Sequence, residues 1–170
     1  MRSRLAAAFG SAIFLFVAPG VVAGWIPWQI TRWRIGAPLF DGRVSRAIGA
    51  LLIVAGAPVL LDSFARFALV GRGTPAPVAP TERLVVSGLY RHVRNPIYLA
   101  VVSLIFGQAL LFGSRDLLWY GALAWAAFHL FVLFYEEPAL RRRYGDEYVA
   151  YRAAVRRWRP RVRGYVGPKP

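Results

Sequence analysis

Cysteine is absent from this sequence, and histidine occurs only as His92 and His129. Without cysteine there is no disulfide, no thiolate nucleophile and no cysteine-based metal centre. The two histidines are far apart in the sequence and no His-Glu-x-x-His pattern is present, so we predict no metal site. Acidic residues are also scarce, since eight Asp and Glu stand against 22 Lys and Arg, which gives a formal net charge of +14.

Charged residues make up only 18% of the 170 residues, whereas 57% are hydrophobic. In a soluble domain about a quarter of the residues are charged. The apolar residues here occur in blocks, which is typical of a membrane protein. The positive charge is then better explained by cytoplasmic segments that contact anionic lipids than by nucleic-acid binding. We therefore predict membrane lipids as partners and no nucleic acid, and make no prediction of oligomeric state.

Four apolar stretches each approach the ~20 residues that cross a bilayer as a helix. They run from Leu5 to Trp25, from Ala47 to Val70, from Ile97 to Gly113 and from Leu117 to Tyr135. Because backbone groups must be paired in lipid, these stretches must be helical. The first could instead be a secretory signal, but its length and the three further spans favour a retained helix, kinked at Pro19-Gly20. The fold class predicted is all-α, a multi-span transmembrane helical bundle.

The connection between spans three and four is only Ser114-Arg115-Asp116, which predicts a tight antiparallel hairpin over residues 97–135. The segment before the hairpin and the tail after it then share one membrane face. Because the tail contains ten Lys or Arg, the positive-inside rule places this face in the cytoplasm and the protein in the cell (inner) membrane. The Arg-containing loop 26–46 would then lie outside, so either part of it is an interfacial helix or the number of spans is not four.

The sequence predicts that the chain consists of two parts. Residues 1–70 hold the two N-terminal spans, and residues 71–170 form a module of linker, hairpin and cytoplasmic tail. The linker, Gly71–Pro80, is rich in proline and glycine. In the tail, a C-terminal amphipathic helix from Ala139 to about Arg157 is predicted from apolar and aromatic residues at helical spacing. These residues are Leu140, Tyr144, Tyr148, Tyr151 and Val155.

Polar residues inside the spans suggest two pairings. Asp62 and Arg66 are four residues apart in the second span, so they can form an ion pair on one helix face. Gln108 and His129 lie in spans three and four and could hydrogen-bond across the hairpin. Both pairings are expected to be structural.

Two polar clusters flank the hairpin. The first, residues 83–98, contains two tyrosines and an Asn-Pro pair that can cap the helix that follows. The second is the pair Glu136-Glu137 at the end of span four, where Glu137 can pair with Arg141. Since the hairpin brings the start of span three beside the end of span four, we expect Tyr98 and Glu136 to lie side by side. Together the clusters predict a pocket for a polar cofactor at the lipid edge.

The pattern SGLYRHVRNPIY, a helical hairpin, and then EEPALRRRYGDEYVAYRAAVRRWRP resembles the isoprenylcysteine carboxyl methyltransferase and phospholipid methyltransferase superfamily, over residues 81–160. The resemblance implies an integral membrane methyltransferase that uses S-adenosylmethionine, which both segments bind in that family. Carried over to this chain, it implies a cofactor site that contains Leu84, Val85, Tyr90, Asn95, Pro96, Tyr98, Glu136 and Glu137. No catalytic residue is assigned.

Two positions depart from the superfamily pattern. Asn95 stands where the motif often has histidine, and Val132 stands where the carboxyl methyltransferases have an arginine for the substrate carboxylate. Prenylcysteine is therefore a doubtful acceptor, and the acceptor implied is a lipophilic small molecule or a lipid with a carboxylate or an amine. An amine would need a base, for which Glu137 or His92 are candidates.

Two other functions are compatible with the sequence. One is an NADPH-dependent membrane reductase of sterol-reductase-like architecture, which the adjacent carboxylates of Glu136 and Glu137 disfavour because they repel phosphates. The other is a non-enzymatic membrane scaffold whose polybasic tail, with Arg156, Arg157 and Arg159, recruits anionic lipid or nucleic acid. The positive-inside rule already accounts for most of that charge.

Overall fold

The computed structural model describes residues 4–69 and 83–166, with the backbone alone for residues 4–8 and 11. These residues are mostly helical and none of them belongs to a β-strand, so the predicted all-α class is confirmed. The α-helices are α1 (Arg4–Val17), α2 (Ile26–Thr31), α3 (Gly42–Leu69), α4 (Pro96–Phe112), α5 (Arg115–Phe131) and α6 (Glu137–Ala154). The predicted linker, Gly71–Pro80, lies outside the described residues, as does the predicted boundary at residue 70.

Three helical runs in the described residues are long and apolar enough to cross a membrane: Ala12–Thr31, Gly42–Leu69 and Arg115–Ala154. The apolar helix α4 is shorter, with 17 residues, which correspond to about 26 Å of helix. That length is close to the lower limit for a membrane span. Because α4 packs along α3 and against α5, it belongs to the same bundle, and the predicted multi-span architecture is confirmed.

The first helical run continues beyond its predicted end at Trp25. A π-helical segment, Val21–Trp25, follows α1 and leads directly into α2. The run ends at Thr31, after which Arg32 adopts a left-handed conformation with φ of 51°. Much of the charge in the predicted loop 26–46 therefore lies just beyond a helix end, where the Arg32 guanidinium lies over the Trp28 ring at 4.3 Å.

Pro27 explains how this first run is tied to the other helices. Proline has no N–H, so carbonyl groups about one turn before it lack a backbone donor. Side chains from two other helices supply the missing donors: Gln108 Nε2 donates to the Ala23 carbonyl (2.7 Å) and the Tyr120 hydroxyl donates to the Val22 carbonyl (2.8 Å). These two bonds join the first run to α4 and α5. Breaking either would leave an unpaired carbonyl in lipid, which costs several kcal/mol.

Small residues allow α3 and α4 to approach closely. A Cβ atom added at Gly49 would lie 2.7 Å from the Gly107 carbonyl oxygen, so neither helix has room for a side chain there. Nearby, Ser45 Oγ donates a hydrogen bond to the Leu110 carbonyl (3.1 Å). Small residues and interhelical hydrogen bonds are the usual basis of helix packing in membranes.

The predicted hairpin is present between α4 and α5, with a shorter connection than expected. Gly113 ends α4 with φ of 70°, and Ser114 caps α5 by accepting a hydrogen bond from the Leu117 amide (3.2 Å). The Gly36 amide donates to the Phe112 carbonyl (2.9 Å), so the loop after α2 lies beside this turn. We call this the far end of the bundle. The site end is the opposite one, where residues 83–95 and 137–166 lie.

Helix α5 passes through a second π-helical segment, Val132–Glu136, straight into α6. The predicted apolar face of α6 is confirmed, because Tyr148, Tyr151 and Val155 are buried together in a small core. Leu84, Val86, Leu140, Tyr144, Ala154 and Tyr165 pack around them. The helix begins two residues earlier and ends earlier than predicted, and Gly145 interrupts it with φ of 52° and ψ of −128°.

Candidate functional site

A cavity of about 860 Å³ lies between the membrane helices and the residues of the site end. This volume is within the range of small-molecule pockets. At one end the lining is polar and includes Arg94, Asn95, Glu136 and Arg142. Towards the middle of the bundle the lining is apolar and comes from the first helical run, α4 and α5. The cavity therefore joins a polar compartment at the membrane boundary to an apolar one among the helices.

Most of the predicted cofactor residues border this cavity: Leu84, Val85, Tyr90, Asn95, Tyr98 and Glu136. The other two, Pro96 and Glu137, do not. Pro96 is the buried first residue of α4, and Glu137 is directed into a cluster of arginines beside the cavity. In residues 4–69 and 83–166 no group of three or more His, Asp or Glu side chains is arranged to hold a metal ion.

Tyr98 and Glu136 are in direct contact at the polar end. The Tyr98 hydroxyl donates a hydrogen bond to Glu136 Oε2 at 2.6 Å, which confirms the predicted proximity of these residues. The Tyr98 ring packs against Phe128 of α5 at a centroid distance of 5.0 Å. The hairpin thus places the first turn of α4 beside the end of α5 and fixes the orientation of a carboxylate in the cavity.

The second π-helical segment separates the directions of Glu136 and Glu137. Consecutive residues of a helix project about 100° apart, and Glu136 ends the π-helical segment whereas Glu137 begins α6. The Glu136 side chain reaches the cavity and Tyr98, while the Glu137 side chain faces the loop residues outside it. The two adjacent carboxylates consequently have different partners.

The Glu137 carboxylate accepts hydrogen bonds from two arginine side chains of the site end. Its Oε1 accepts hydrogen bonds from Arg94 Nη1 (2.8 Å) and Arg157 Nε (2.6 Å), and its Oε2 accepts one from Arg157 Nη2 (2.9 Å). Arg152 lies farther away, at 3.8 Å. The predicted partner Arg141 was wrong, because the carboxylate turns towards the loop rather than along its own helix. The bidentate bond from Arg157 raises the pKa of that guanidinium further.

The residues after α6 fold back onto the site. In this C-terminal segment (residues 155–165), the Arg156 carbonyl accepts from the Arg94 amide (3.0 Å), and the Arg161 and Tyr165 amides donate to the carbonyls of His92 and Arg91 (2.9 and 2.8 Å). The His92 ring also contacts the Arg161 carbonyl through Nδ1 (2.8 Å). These contacts hold residues 91–95 in place along the side of the cavity.

Asn95 takes part in the same arrangement instead of capping α4. Its side chain makes no capping hydrogen bond, contrary to the prediction. Its Nδ2 instead donates to the Arg157 carbonyl (3.3 Å), which the C-terminal segment brings beside it. Pro96 does occupy the first turn of the helix, as predicted, where a missing N–H costs nothing.

Tyr90 is buried in the wall of the cavity at 6% exposure. Its carbonyl accepts a hydrogen bond from the Tyr151 hydroxyl at 2.6 Å, which connects the 3₁₀ turn Gly88–Arg91 to α6. Burial, and secondly the charge of Glu136, raises the pKa of the Tyr90 hydroxyl well above its usual value. Tyr90 therefore remains a neutral hydrogen-bonding group throughout the physiological pH range.

The predicted pair Asp62–Arg66 forms and has a clear structural task. Arg66 Nε and Nη2 donate to the two carboxylate oxygens of Asp62 at 2.7 and 2.9 Å. The guanidinium covers Gly88, where an added Cβ atom would collide with it. The end of α3 thereby supports the turn that carries Tyr90.

Arg94 was not included in the predicted cofactor site, although it belongs to the RNPIY motif. It lines the cavity with a side chain only 9% exposed, and its Nη1 donates to Glu137 and to the Tyr148 hydroxyl (2.8 and 3.2 Å). Its Nε is buried without a hydrogen-bond acceptor among the described residues. A buried donor without a partner is uncommon in proteins, so this atom indicates a place for an acceptor from a ligand.

Trp158 is a second residue that the sequence did not indicate. Its indole Nε1 donates to His129 Nδ1 (3.0 Å), so His129 pairs with the C-terminal segment and not with Gln108 as predicted. The indole also packs edge-on against Tyr98, with centroids 6.5 Å apart, and against Trp125 at 4.5 Å. Trp158 supports the tyrosine that holds Glu136. In the sequence Trp158 stands among arginines, and no spacing pattern sets it apart.

The fold and the cavity define an integral membrane class of protein, in which apolar helices form a cleft with polar groups at one end. The chain belongs to the phospholipid methyltransferase family, whose model matches residues 44–147. The matched part includes Tyr98 and Glu136, whereas the first helical run and the C-terminal segment lie outside it. Neither a curated protein nor a solved structure matches the chain. Membership in this family supports methyl transfer as the general reaction.

Proposed function

We propose that the protein transfers a methyl group from S-adenosylmethionine to the polar head of a membrane lipid at the site end. The observation that carries this proposal is the hydrogen bond between Tyr98 and Glu136 at the polar end of the cavity. Both residues lie in the segment matched by the phospholipid methyltransferase family. The match favours methyl transfer over the reductase and the scaffold.

The residues of the polar end suit the chemical groups of this cofactor. Glu136 is a carboxylate that can accept hydrogen bonds from ribose hydroxyls or from an ammonium group, and Tyr98 orients it. Arg94 has a buried N–H without an acceptor, which suits a carboxylate. Leu84, Val85 and Tyr90 add apolar and aromatic surface against which the adenine ring of the cofactor can pack. Pro96 and Glu137 act indirectly in this proposal, by starting α4 and by holding Arg94.

The protein's own contribution is then mainly positioning. When bound, the cofactor supplies a methyl group that is already activated by its positively charged sulfur. The side chains around it hold the reactants at a fixed distance and exclude water, which are recognised sources of catalysis. The C-terminal segment serves this purpose by fixing residues 91–95 and by supporting Tyr98 through Trp158.

The acceptor proposed is a phospholipid or a similar lipid rather than prenylcysteine. Val132, at the position of the arginine that meets the substrate carboxylate in carboxyl methyltransferases, is fully buried and does not line the cavity. His92 and Glu137, the candidate bases for an amine acceptor, do not line it either. Glu136 is thus the carboxylate of the described residues that is available to a ligand in the cavity. An amine head group is protonated at neutral pH, so Glu136 would accept the proton that the nitrogen must lose before it can take the methyl group.

Calorimetric titration of S-adenosylmethionine into the purified protein tests the proposal. We expect binding by the wild type and a loss of roughly tenfold or more in affinity for Glu136→Gln, because hydrogen bonds to a charged group are removed. Glu147→Gln is the matched control, since Glu147 is exposed on α6 and away from the cavity. Absence of binding by the wild type, or equal affinities for the two variants, would contradict the proposal. A titration with NADPH alongside tests the reductase alternative.

A further inference from the structure

The first helical run forms one wall of the cavity although it lies outside the family match. Phe14, Ala18, Pro19 and Val22 all border the cavity, whereas the family model begins at residue 44. The remaining apolar lining on the opposite side includes Ala127, Phe128 and Phe131 of α5. A property that depends on this wall is therefore not implied by the family match.

The apolar compartment extends well into the membrane. Along α5, Ala127 precedes Glu136 by about two and a half helical turns, or about 13 Å. This distance is a little less than half of the ~30 Å of hydrocarbon in a bilayer. The lining of the compartment includes Val22 at its deep end, where the Val22 carbonyl accepts a hydrogen bond from the Tyr120 hydroxyl (2.8 Å). The compartment thus extends at least as deep as Ala127, which is close to the depth of one leaflet.

The compartment also faces the lipid. Ala127 and Phe131 border the cavity and are at the same time exposed on the surface of α5. The main contact between the first run and α5 is made by α2, nearer the far end, while the part of the run that holds Phe14 and Ala18 packs on α3. The cavity therefore opens sideways between α1 and α5, at membrane depth.

We propose that this compartment binds one acyl chain of the lipid acceptor, and that Ala18 and Ala127 set the chain length accepted. The proposal rests on the proposed function, because the head group of the same lipid would reach Glu136. An apolar chain gains free energy in an apolar site only if it fits the available space. Two alanines on facing walls provide that space, and larger side chains there would remove it.

Methyl transfer to phosphatidylethanolamines of different chain length tests the inference. We compare dihexanoyl with dipalmitoyl acceptors for the wild type, Ala18→Phe, Ala127→Phe and the control Ala126→Phe. Ala126 is a neighbouring exposed alanine of α5 that does not border the cavity. In the cavity variants we expect the ratio of kcat/KM for the dipalmitoyl acceptor to kcat/KM for the dihexanoyl acceptor to fall about tenfold. A larger side chain in a packed site costs binding free energy of this size. The control should keep the wild-type ratio.

An unchanged ratio in both cavity variants, with the cofactor affinity retained, would overturn the inference. Failure of the proposed function would look different, because the wild type itself would not bind S-adenosylmethionine. A second measurement is independent of methyl transfer: dipalmitoyl phosphatidylethanolamine with a diazirine at the chain end, followed by mapping of the labelled peptides. We expect labelling within residues 14–22 that Ala127→Phe reduces and Ala126→Phe does not. Equal labelling of residues 14–22 in the Ala127→Phe and Ala126→Phe variants would also overturn the inference.

Discussion

Glu136 and Glu137 are neighbours in the sequence, yet they have different partners and different consequences for the protein. Glu136 meets a tyrosine hydroxyl at the edge of the cavity, whereas Glu137 does not border the cavity and meets the guanidinium groups of Arg94 and Arg157. A carboxylate that is saturated by arginines has no capacity left for a ligand. A change at Glu137 should therefore act on stability, and a change at Glu136 on ligand binding.

We predict that Glu137→Gln lowers the free energy of unfolding by about 3 kcal/mol or more. The substitution removes the negative partner of the nearly buried Arg94 and the partly buried Arg157 and leaves both cations uncompensated, which is costly. The measurement is thermal unfolding of the purified protein in one detergent. Glu147→Gln controls for loss of a carboxylate on the exposed side of α6. Equal melting temperatures for the two variants would show that the cluster contributes little.

Part of the cavity wall could be predicted from the sequence because its residues lie within two short motifs: Leu84, Val85, Tyr90, Asn95, Tyr98 and Glu136. Tyr98 and Glu136 needed only the hairpin to bring the motifs together, and the hairpin follows from the brief connection between apolar stretches. The partners supplied by the C-terminal segment could not be predicted in this way. Trp158 contacts Tyr98 only because residues 155–165 fold back, which depends on tertiary hydrogen bonds that leave no periodic pattern.

The helical type and the approximate positions of the apolar stretches were predictable, but the points where they deviate from regular α-helix were not. Hydropathy indicates α3 and the hairpin, because each must bury its backbone groups in lipid. The two π-helical segments change which side chains face the cavity, and hydropathy does not respond to a change of one residue in register. Pro27 was a visible signal for the first of them, since its missing N–H leaves carbonyls without a backbone donor, and Tyr120 and Gln108 donate hydrogen bonds to these carbonyls.

The turn that carries Tyr90 depends on Gly88, and we predict that Gly88→Ala destabilises the protein more than Gly145→Ala does. Both glycines have positive φ, 54° and 52°, so an alanine introduces backbone strain at each position. Only at Gly88 does the new methyl group also collide with a side chain, that of Arg66, and disturb its bond to Asp62. Nothing lies within 4 Å of the position at Gly145.

Thermal unfolding of both variants measures this difference, and calorimetry with S-adenosylmethionine measures its consequence for the site. The Gly88 variant should melt at the lower temperature and bind the cofactor more weakly, because the turn forms part of the cavity wall. If both variants melt alike, the contact with Arg66 does not support the turn.

For the whole molecule, the sequence was sufficient for the helical class and for the proximity of the two polar segments, because both depend on blocks of apolar residues and on chain connectivity. It was insufficient for the shape of the cavity, since the first helical run contributes a wall through contacts with helices far along the chain. The orientation in the membrane is a separate question. It depends on the distribution of charge between the far end and the site end.

We predict that the site end is cytoplasmic. The far end does carry arginines, at positions 32, 34, 43, 46 and 115, but the tail alone contains ten Lys or Arg, and the larger number remains inside according to the positive-inside rule. The absence of cysteine allows a direct measurement, because a single introduced cysteine is then the only thiol. Arg34→Cys and Arg163→Cys place that thiol at exposed positions of the far end and the site end.

A membrane-impermeant maleimide applied to intact cells should label Arg34→Cys, and should label Arg163→Cys only after the membrane is opened. Inverted vesicles should give the reverse pattern, which controls for differences in thiol reactivity. Labelling of Arg163→Cys in intact cells would place the polar end of the cavity outside. An S-adenosylmethionine-dependent reaction would then lack its cofactor, because S-adenosylmethionine is made inside the cell, so the same result would count against the proposed function as well as against the orientation.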